Sequence, residues 1–242
     1  MAEPSANLNA RYPASESAQE LKDIFQQVTG HSCPRHYNFH MHTHCSDGKL
    51  SPGDLMEQAI HIQLKGFAIT DHHTIQGYEQ ACQWLEHWRW NHPSNWTSNH
   101  PKVKLPRLWC GVEITSSLLG VDVHILGYAF NPQHQAFKRY LQGGAPMGED
   151  RQAKSVIQAI QAAGGIAVLA HPVRYRRSPE ELIPAAAAMD IDGVETYYAY
   201  DHPAEWRPTP EKTERVQALA NAYNLLSTCG TDSHGMTLTR RV

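Results

Sequence analysis

The chain has 242 residues, 41% of them hydrophobic, and a formal net charge of −3 with histidine neutral. That length suits one domain of the larger kind with a sizeable core, and the charge offers no basic field for duplex nucleic acid and no acidic tail for a cationic partner. The five cysteines (Cys33, Cys45, Cys82, Cys110, Cys229) are odd in number and form no Cys-x-x-Cys pair, which argues against a disulfide framework or a thiolate zinc site.

Residues 1–15 are rich in Ala, Ser and Pro and read as a disordered tail. Residues 17–28 place Leu21, Ile24, Phe25 and Val28 on one helical face, which predicts a short amphipathic helix packed on the body of the domain. Residues 1–35 therefore read as a tail plus helix, and 36–242 as one domain. From Tyr37 the pattern alternates. A strand ends near Met41, and a helix follows Ser51-Pro52, with Ser51 as N-cap and Leu55, Ala59 and Ile62 inward. Strands are predicted at 66–70, 108–114, 121–129, 166–169, 191–196 and 225–228. Helices are predicted at 75–90, 150–163 (ended by Gly164-Gly165) and 209–223. Residues 91–106 are polar and Pro-punctuated, hence a loop. Such alternation implies an α/β fold with a parallel sheet and helices outside. Candidate ligands on the first, middle and last strands favour closure into a barrel, where strand C-termini converge on one face.

Sixteen histidines are the compositional outlier. Half of them (His31, His36, His61, His87, His92, His100, His134, His202) stand apart from any acid cluster and read as surface residues. The others concentrate where strands run into loops. His40 and His42 have i, i+2 spacing, so both imidazoles point to one side; alone, the pair would equally fit a His-rich surface. Asp47 follows in a loop turned by Gly48. Asp71-His72 repeats the acid–imidazole theme, and by itself would fit a helix N-cap beside an exposed histidine. Asp232 and His234 repeat the i, i+2 spacing after the last strand. Glu113 lies in the apolar run Gly111–Ile114, where an unpaired carboxylate would cost several kcal/mol. It is either paired with Arg or Lys or bound to metal, and metal is the preferred reading. His124 within Val121–Gly127 fits a hydrogen-bonded core histidine or a ligand, and His171 before Pro172 fits the same ring. Imidazole and carboxylate supplied together from several strand ends is how a fold builds a site for hard and borderline metal ions.

Six segments (His-x-His with Ser-Asp-Gly, Thr-Asp-His, Gly-Val-Glu, His-Ile-Leu-Gly-Tyr, Ala-His-Pro and Gly-Thr-Asp-Ser-His) span residues 38–235. In this order they resemble the polymerase and histidinol phosphatase (PHP) family of metal-dependent phosphoesterases. The resemblance implies a distorted (β/α)7 barrel with two or three divalent ions, Mn, Zn or Fe, at the strand C-termini. It implies one ion on His40, His42, Glu113 and Asp232, a neighbour on Glu113, His124 and His171, and a third on Asp47, His72 and His234. It further implies hydrolysis of phosphate monoesters by a metal-bridging hydroxide, with Glu113, Asp232 and His234 central to the chemistry. Nucleotides or the 5′ ends of short RNA are the implied substrates. The small stand-alone branch of the family carries an inserted segment between the equivalents of His124 and His171. Here that gap is mainly one helix and a Gly-Gly-Ala-Pro-Met-Gly loop, which predicts an open site.

Arg174, Arg176 and Arg177 follow His171, and guanidinium matches phosphate bidentately. Arg174 is the chosen substrate clamp, and at least one of the three reads as a solvated loop residue. Trp84, Trp88, Trp90, Trp96 and Trp109 would offer a base-stacking surface, although Trp84 and Trp88, four apart, read first as helix packing. The alternatives are a metal-dependent amidohydrolase on a similar barrel, which would want a bridging lysine, and a non-catalytic metal-binding regulatory module. No basic region followed by an apolar run opens the chain, and no apolar stretch is long enough to span a bilayer. A cytoplasmic protein without membrane or duplex DNA partners is the expectation, and the sequon Asn95-Trp96-Thr97 then carries no meaning.

Overall fold

A computed structural model describes residues 14–93 and 103–242. Seven strands form one sheet in sequence order: β1 (Tyr37–Asn38), β2 (Gly66–Ile69), β3 (Arg107–Leu118), β4 (Val121–Tyr128), β5 (Ile166–Leu169), β6 (Gly193–Tyr197) and β7 (Leu226–Cys229). The helices are α1 (Ala14–Phe25), α2 (Pro52–His61), α3 (Gln76–Asn91), α4 (Ala153–Ala162), α5 (Pro179–Ala187) and α6 (Pro210–Ala222). The chain continuing from β1 meets the chain leaving β7. Phe39 N donates to Cys229 O at 3.0 Å, Asp232 N to His40 O at 2.8 Å, and His42 N to Ser233 O at 3.0 Å. These bonds bring the first and last strands together, so the sheet is a distorted seven-stranded barrel.

The predicted parallel sheet holds for four of the six strand pairs and requires correction at the other two. β3 pairs with β4, and β4 with β5, antiparallel. Only Leu119 and Gly120 separate β3 from β4, far too few residues for a crossover. Both have positive φ, 51° and 76°, as a two-residue hairpin turn demands. The predicted helix at 150–163 is also interrupted. A 3-10 turn (Gly148–Arg151) precedes α4, and between them extended Gln152 bridges Ser117 on β3. Helix α5 is one that periodicity does not announce. Its start is chemical, with Ser178 and Glu181 forming a capping box and Pro179 in the first turn.

Ser51 caps α2 as predicted, accepting from Asp54 N, and Leu55 and Ala59 are buried while Ile62 is only partly so. On α1, Leu21 and Phe25 are buried. Phe25 packs edge-on against Phe39 and Tyr128, at the end of the barrel where β4 finishes and β5 begins. This layer seals the end remote from the histidine clusters. Of the predicted tail 1–15, residues 1–13 lie outside the described residues, while Ala14 and Ser15 already belong to α1; the segment 94–102, which holds Trp96, His100 and the sequon, lies outside them too. Trp84 packs on the α2–α3 core, Trp88 stacks on His92, and Trp90 is 85% exposed, so no stacking surface continuous with the site emerges from α3.

Candidate metal centre

The hydrogen bonds that close the barrel also build the site. They pair His40–His42 with Asp232–Ser233 through the main chain, fixing residues from both ends of the sequence in one register. Gly230 permits this approach, since a Cβ there would collide with the Cβ of His40. A second clamp pins the Thr70–His73 segment to β3. Glu113 N donates to Asp71 O, and His73 N to Glu113 O. Because β4 runs antiparallel, His124 reaches the site from near the start of its strand, not from its end. His73, His171 and Asp232 all adopt positive φ (55°, 25° and 51°). Such backbone strain costs about 1–3 kcal/mol per residue and gathers at functional sites.

Glu113 is the centre of the cluster. Its Oε2 lies 3.0 Å from His40 Nε2, 3.0 Å from His42 Nε2 and 3.6 Å from His72 Nε2. Its Oε1 lies 2.7 Å from His124 Nδ1 and 3.3 Å from His171 Nε2. Among the described residues no Lys or Arg pairs with it, so the ion-pair alternative for Glu113 is not what the fold builds. Asp232 Oδ1 stands 3.4 Å from His40 Nε2 and 3.2 Å from His42 Nε2. Asp47 faces His42, His72 and His234 at 3.4, 3.7 and 3.2 Å. The nine residues singled out in the sequence therefore converge on one place.

Their grouping differs in part from the expected one. His40, His42, Glu113 and Asp232 form one set within 4.8 Å. His42 joins Asp47, His72 and His234 in a second, His72 joins Glu113 and His124 in a third, and His40 and His171 meet Glu195, outside the nine, in a fourth. His42 and His72 thus stand between sets. The donors suit divalent ions. Ligands about 2.1 Å from a common ion lie about 3.0–3.4 Å from each other, the spacing seen here. His42 Nε2 is within 3.2 Å of two carboxylate oxygens yet hydrogen-bonds to neither, and both its ring nitrogens are buried without a partner. Lone pairs aimed at a shared centre and not at each other are what a metal site leaves.

Tautomers are set from behind. His234 Nδ1 lies 2.8 Å from the carbonyl of Asp232, which can only accept, so Nδ1 carries the proton and Nε2 faces Asp47. Burial by itself pushes His40 and His42 down, but the carboxylates around them outweigh it. Glu113, Glu195 and Asp232 hold His40 well above the ordinary imidazole value, and Asp232 and Glu113 raise His42 to about 9. Burial would raise Glu113 and Asp232, yet the imidazoles, His40 foremost, hold both well below the carboxylate range. Burial lowers His72 and His171.

Several residues support the cluster from around it, and of these Tyr198 and Arg241 were not singled out in the sequence. Asp71 makes no contact with the imidazoles. Its Oδ1 accepts from Thr43 N and Ser46 Oγ, and its Oδ2 from Thr43 Oγ1, each at 2.7 Å, so it holds the loop that carries Asp47. Gly48 belongs to the same loop and packs on the His42 carbonyl, leaving no room for a Cβ. Arg174, the chosen clamp, donates to Asp232 Oδ2 at 2.9 Å, where Tyr198 OH (2.7 Å) and Arg241 Nε (2.8 Å) also converge. Arg241 had no sequence signal beyond its charge, since it reaches the site only by a C-terminal fold-back in which its carbonyl accepts from His234 N. Arg177, just before α5, pairs with Glu181 in the first turn of that helix and is a solvated surface residue. Beside Asp47 and His72 opens a cavity of about 570 Å³ whose wall includes Ser46, Thr74, Gln76 and Gln142.

This barrel, with carboxylates and imidazoles gathered at one end, is that of a metal-dependent phosphoesterase, a hydrolase of phosphoester bonds. Residues 38–165 match the PHP domain model, and the chain belongs to that family. It is 25% identical to a 5′-3′ exoribonuclease of Haemophilus influenzae, with 82% of this chain and 89% of that protein aligned. It is 26% identical to the 5′-3′ exoribonuclease Rnm of Escherichia coli, over 82% and 85%. These alignments run to 268 and 256 positions, more than this chain contains, so both relatives carry segments that it lacks. An amidohydrolase structure from Chromobacterium violaceum shares the fold, with a TM-score of 0.64 at 19% identity over 85% of this chain and 90% of that one. No helix among the described residues is long and apolar enough to cross a membrane.

Proposed function

We propose that the protein hydrolyses phosphate esters of nucleotides or of 5′-phosphorylated short RNA. It would do so with two or three ions of Mn, Zn or Fe held by His40, His42, Asp47, His72, Glu113, His124, His171, Asp232 and His234. The observation that carries this reading is the single buried carboxylate of Glu113 facing five imidazoles. When bound, such ions lower the pKa of water near neutrality and neutralise phosphoryl oxygens. The chain's own residues supply the rest. Glu113 spans both sides of the cluster, one oxygen toward His40 and His42 and the other toward His124 and His171. Asp232 is fixed through Oδ2 by Arg174, Tyr198 and Arg241, which leaves Oδ1 toward the imidazoles. Arg174 and Arg241 are only partly buried, and each guanidinium keeps N–H groups that can receive phosphoryl oxygens. The cavity beside Asp47, with neutral amide and hydroxyl groups on its wall, would take the sugar or base.

The RNA part of the reading is supported by the two exoribonuclease relatives. The test is phosphate and nucleotide release by purified, Mn-loaded protein across nucleotides, sugar phosphates, p-nitrophenyl phosphate and 5′-phosphorylated oligoribonucleotides. Preference for the oligoribonucleotides or nucleotides is expected, and equal turnover of all four would overturn it. Arg174→Ala should raise KM for the preferred substrate ten- to a hundredfold, roughly 1.5–3 kcal/mol for a charge-assisted contact. Metal content should hold, because Tyr198 and Arg241 still orient Asp232. Unchanged KM would return Arg174 to a purely structural partner of Asp232.

A further inference from the structure

Glu195 on β6 is fully buried and lies outside the nine-residue set. Its Oε1 is 3.0 Å from His40 Nδ1, and its Oε2 accepts from His171 N at 2.8 Å. It sits where a register shift between Glu195 and Tyr197 disturbs the β6–β7 pairing, and such irregularities re-aim side chains beside active sites. His40 is therefore held on both sides: Nδ1 against Glu195, Nε2 against Glu113 and Asp232. His171 is held by its backbone, at the unusual φ of 25°. A carboxylate accepts and does not donate, so Glu195 keeps a proton on Nδ1 of His40 and makes Nε2 the nitrogen that would hold an ion.

We propose that Glu195 is the positioning residue of the buried part of the centre. It sets the tautomer of His40 and the backbone of His171, two candidate ligands that face different oxygens of Glu113. This rests on the metal reading above. The other histidine whose tautomer is fixed from behind, His234, relies on a main-chain carbonyl. Glu195 differs in carrying charge, which makes His40 a more basic ligand. It also differs in touching two candidate ligands at once, so loss of the carboxylate should weaken both ions together. The ion served by Asp47, His72 and His234 contacts none of its atoms and should be spared.

Glu195→Gln tests this with little change in shape. If the new amide oxygen keeps the bond from His171 N, its NH2 faces His40 Nδ1 and moves the imidazole proton to Nε2, where it blocks coordination. Chelator-stripped wild type, Glu195→Gln and Glu195→Asp would be titrated with Zn by calorimetry, with bound metal counted by elemental analysis. The glutamine variant should bind ten- to a hundredfold more weakly at the affected sites, with fewer tightly held ions, and the aspartate variant should recover part of the loss. In Zn-loaded wild type, nitrogen-15 NMR of the histidines should find the His40 proton on Nδ1, a readout independent of how either variant folds. A folded glutamine variant with wild-type affinity and stoichiometry, or a His40 Nδ1 without its proton, overturns the inference alone. Wild type binding less than one ion overturns the metal reading and this inference with it.

Discussion

The centre has two halves that are built differently. His40, His42, Glu113, His171 and Asp232 are at most 3% exposed by side chain, and come from strand ends locked by main-chain hydrogen bonds. Asp47 is 52% exposed, and His72, His124 and His234 are 21%, 29% and 17% exposed. The buried half is over-determined, with each carboxylate oxygen meeting several donors and Glu195 and Tyr198 supporting it from behind. The half-exposed part borders the cavity and depends on a loop organised by Asp71. Buried charge is tolerated only when fully paired, so the first half must be rigid. The second can admit a substrate because water already reaches it.

The largest effect should come from breaking the hub of the buried half. Glu113→Gln keeps the shape but removes the charge shared by five imidazoles. Activity should fall more than about a hundredfold, as for a ligand that positions both ions, while circular dichroism stays that of the folded protein. Retained activity would place the chemistry elsewhere and dissolve the distinction between the halves.

Asp71→Ala probes the exposed half without touching any imidazole. It leaves Thr43 N and two hydroxyls without their acceptor, at a cost of about 1–3 kcal/mol. The loop bearing Asp47 should loosen, and the most weakly held ion should be lost first. If metal counting shows every ion retained at unchanged affinity, the loop does not govern that half.

The smallest effect concerns pH in the metal-free protein and should be confined to the buried half. His42 is raised to about 9 in the folded chain against about 6.5 when unfolded. Its contribution to stability is fully present below the unfolded value and fades as pH rises through 9. Glu113 and Asp232 are lowered, so their contribution is present above the ordinary carboxylate range and is lost as pH falls below it. Melting temperature of chelated protein should therefore decline from pH 7 toward pH 9.5, and Zn loading should remove the decline. A chelated protein with a flat profile over that range would mean that His42 is neutral and the cluster proton-poor.

Much of this centre was legible because its chemistry is local in sequence. His40 and His42, Asp232 and His234, and Thr70-Asp71-His72 are short motifs at strand ends, and the apolar run around Glu113 makes its carboxylate conspicuous. Glu195 lies in a similar run, Gly193–Tyr197, but no imidazole stands beside it in sequence. Arg241 looked like any terminal arginine until the chain folded back. Asp71 looked like half of an acid–imidazole ligand pair, and only its three donors from Thr43 and Ser46 reveal a loop anchor.

By itself the sequence determined the α/β alternation, the N-cap of α2, the apolar face of α1 and the inventory of residues able to hold divalent ions. Periodicity and capping act within a few residues, and a motif keeps its spacing whatever the fold does. Tertiary structure alone decided the antiparallel placement of β4, which brings His124 in from a strand start, and the pairing of residues 38–42 with 229–234 that closes the barrel. It also decided which side chains share an ion and which stand behind them, as His42 and His72 between sets and Glu195 behind His40 show. Those choices depend on atoms about 3 Å apart in space and up to 192 positions apart in the chain, a distance over which no local propensity acts.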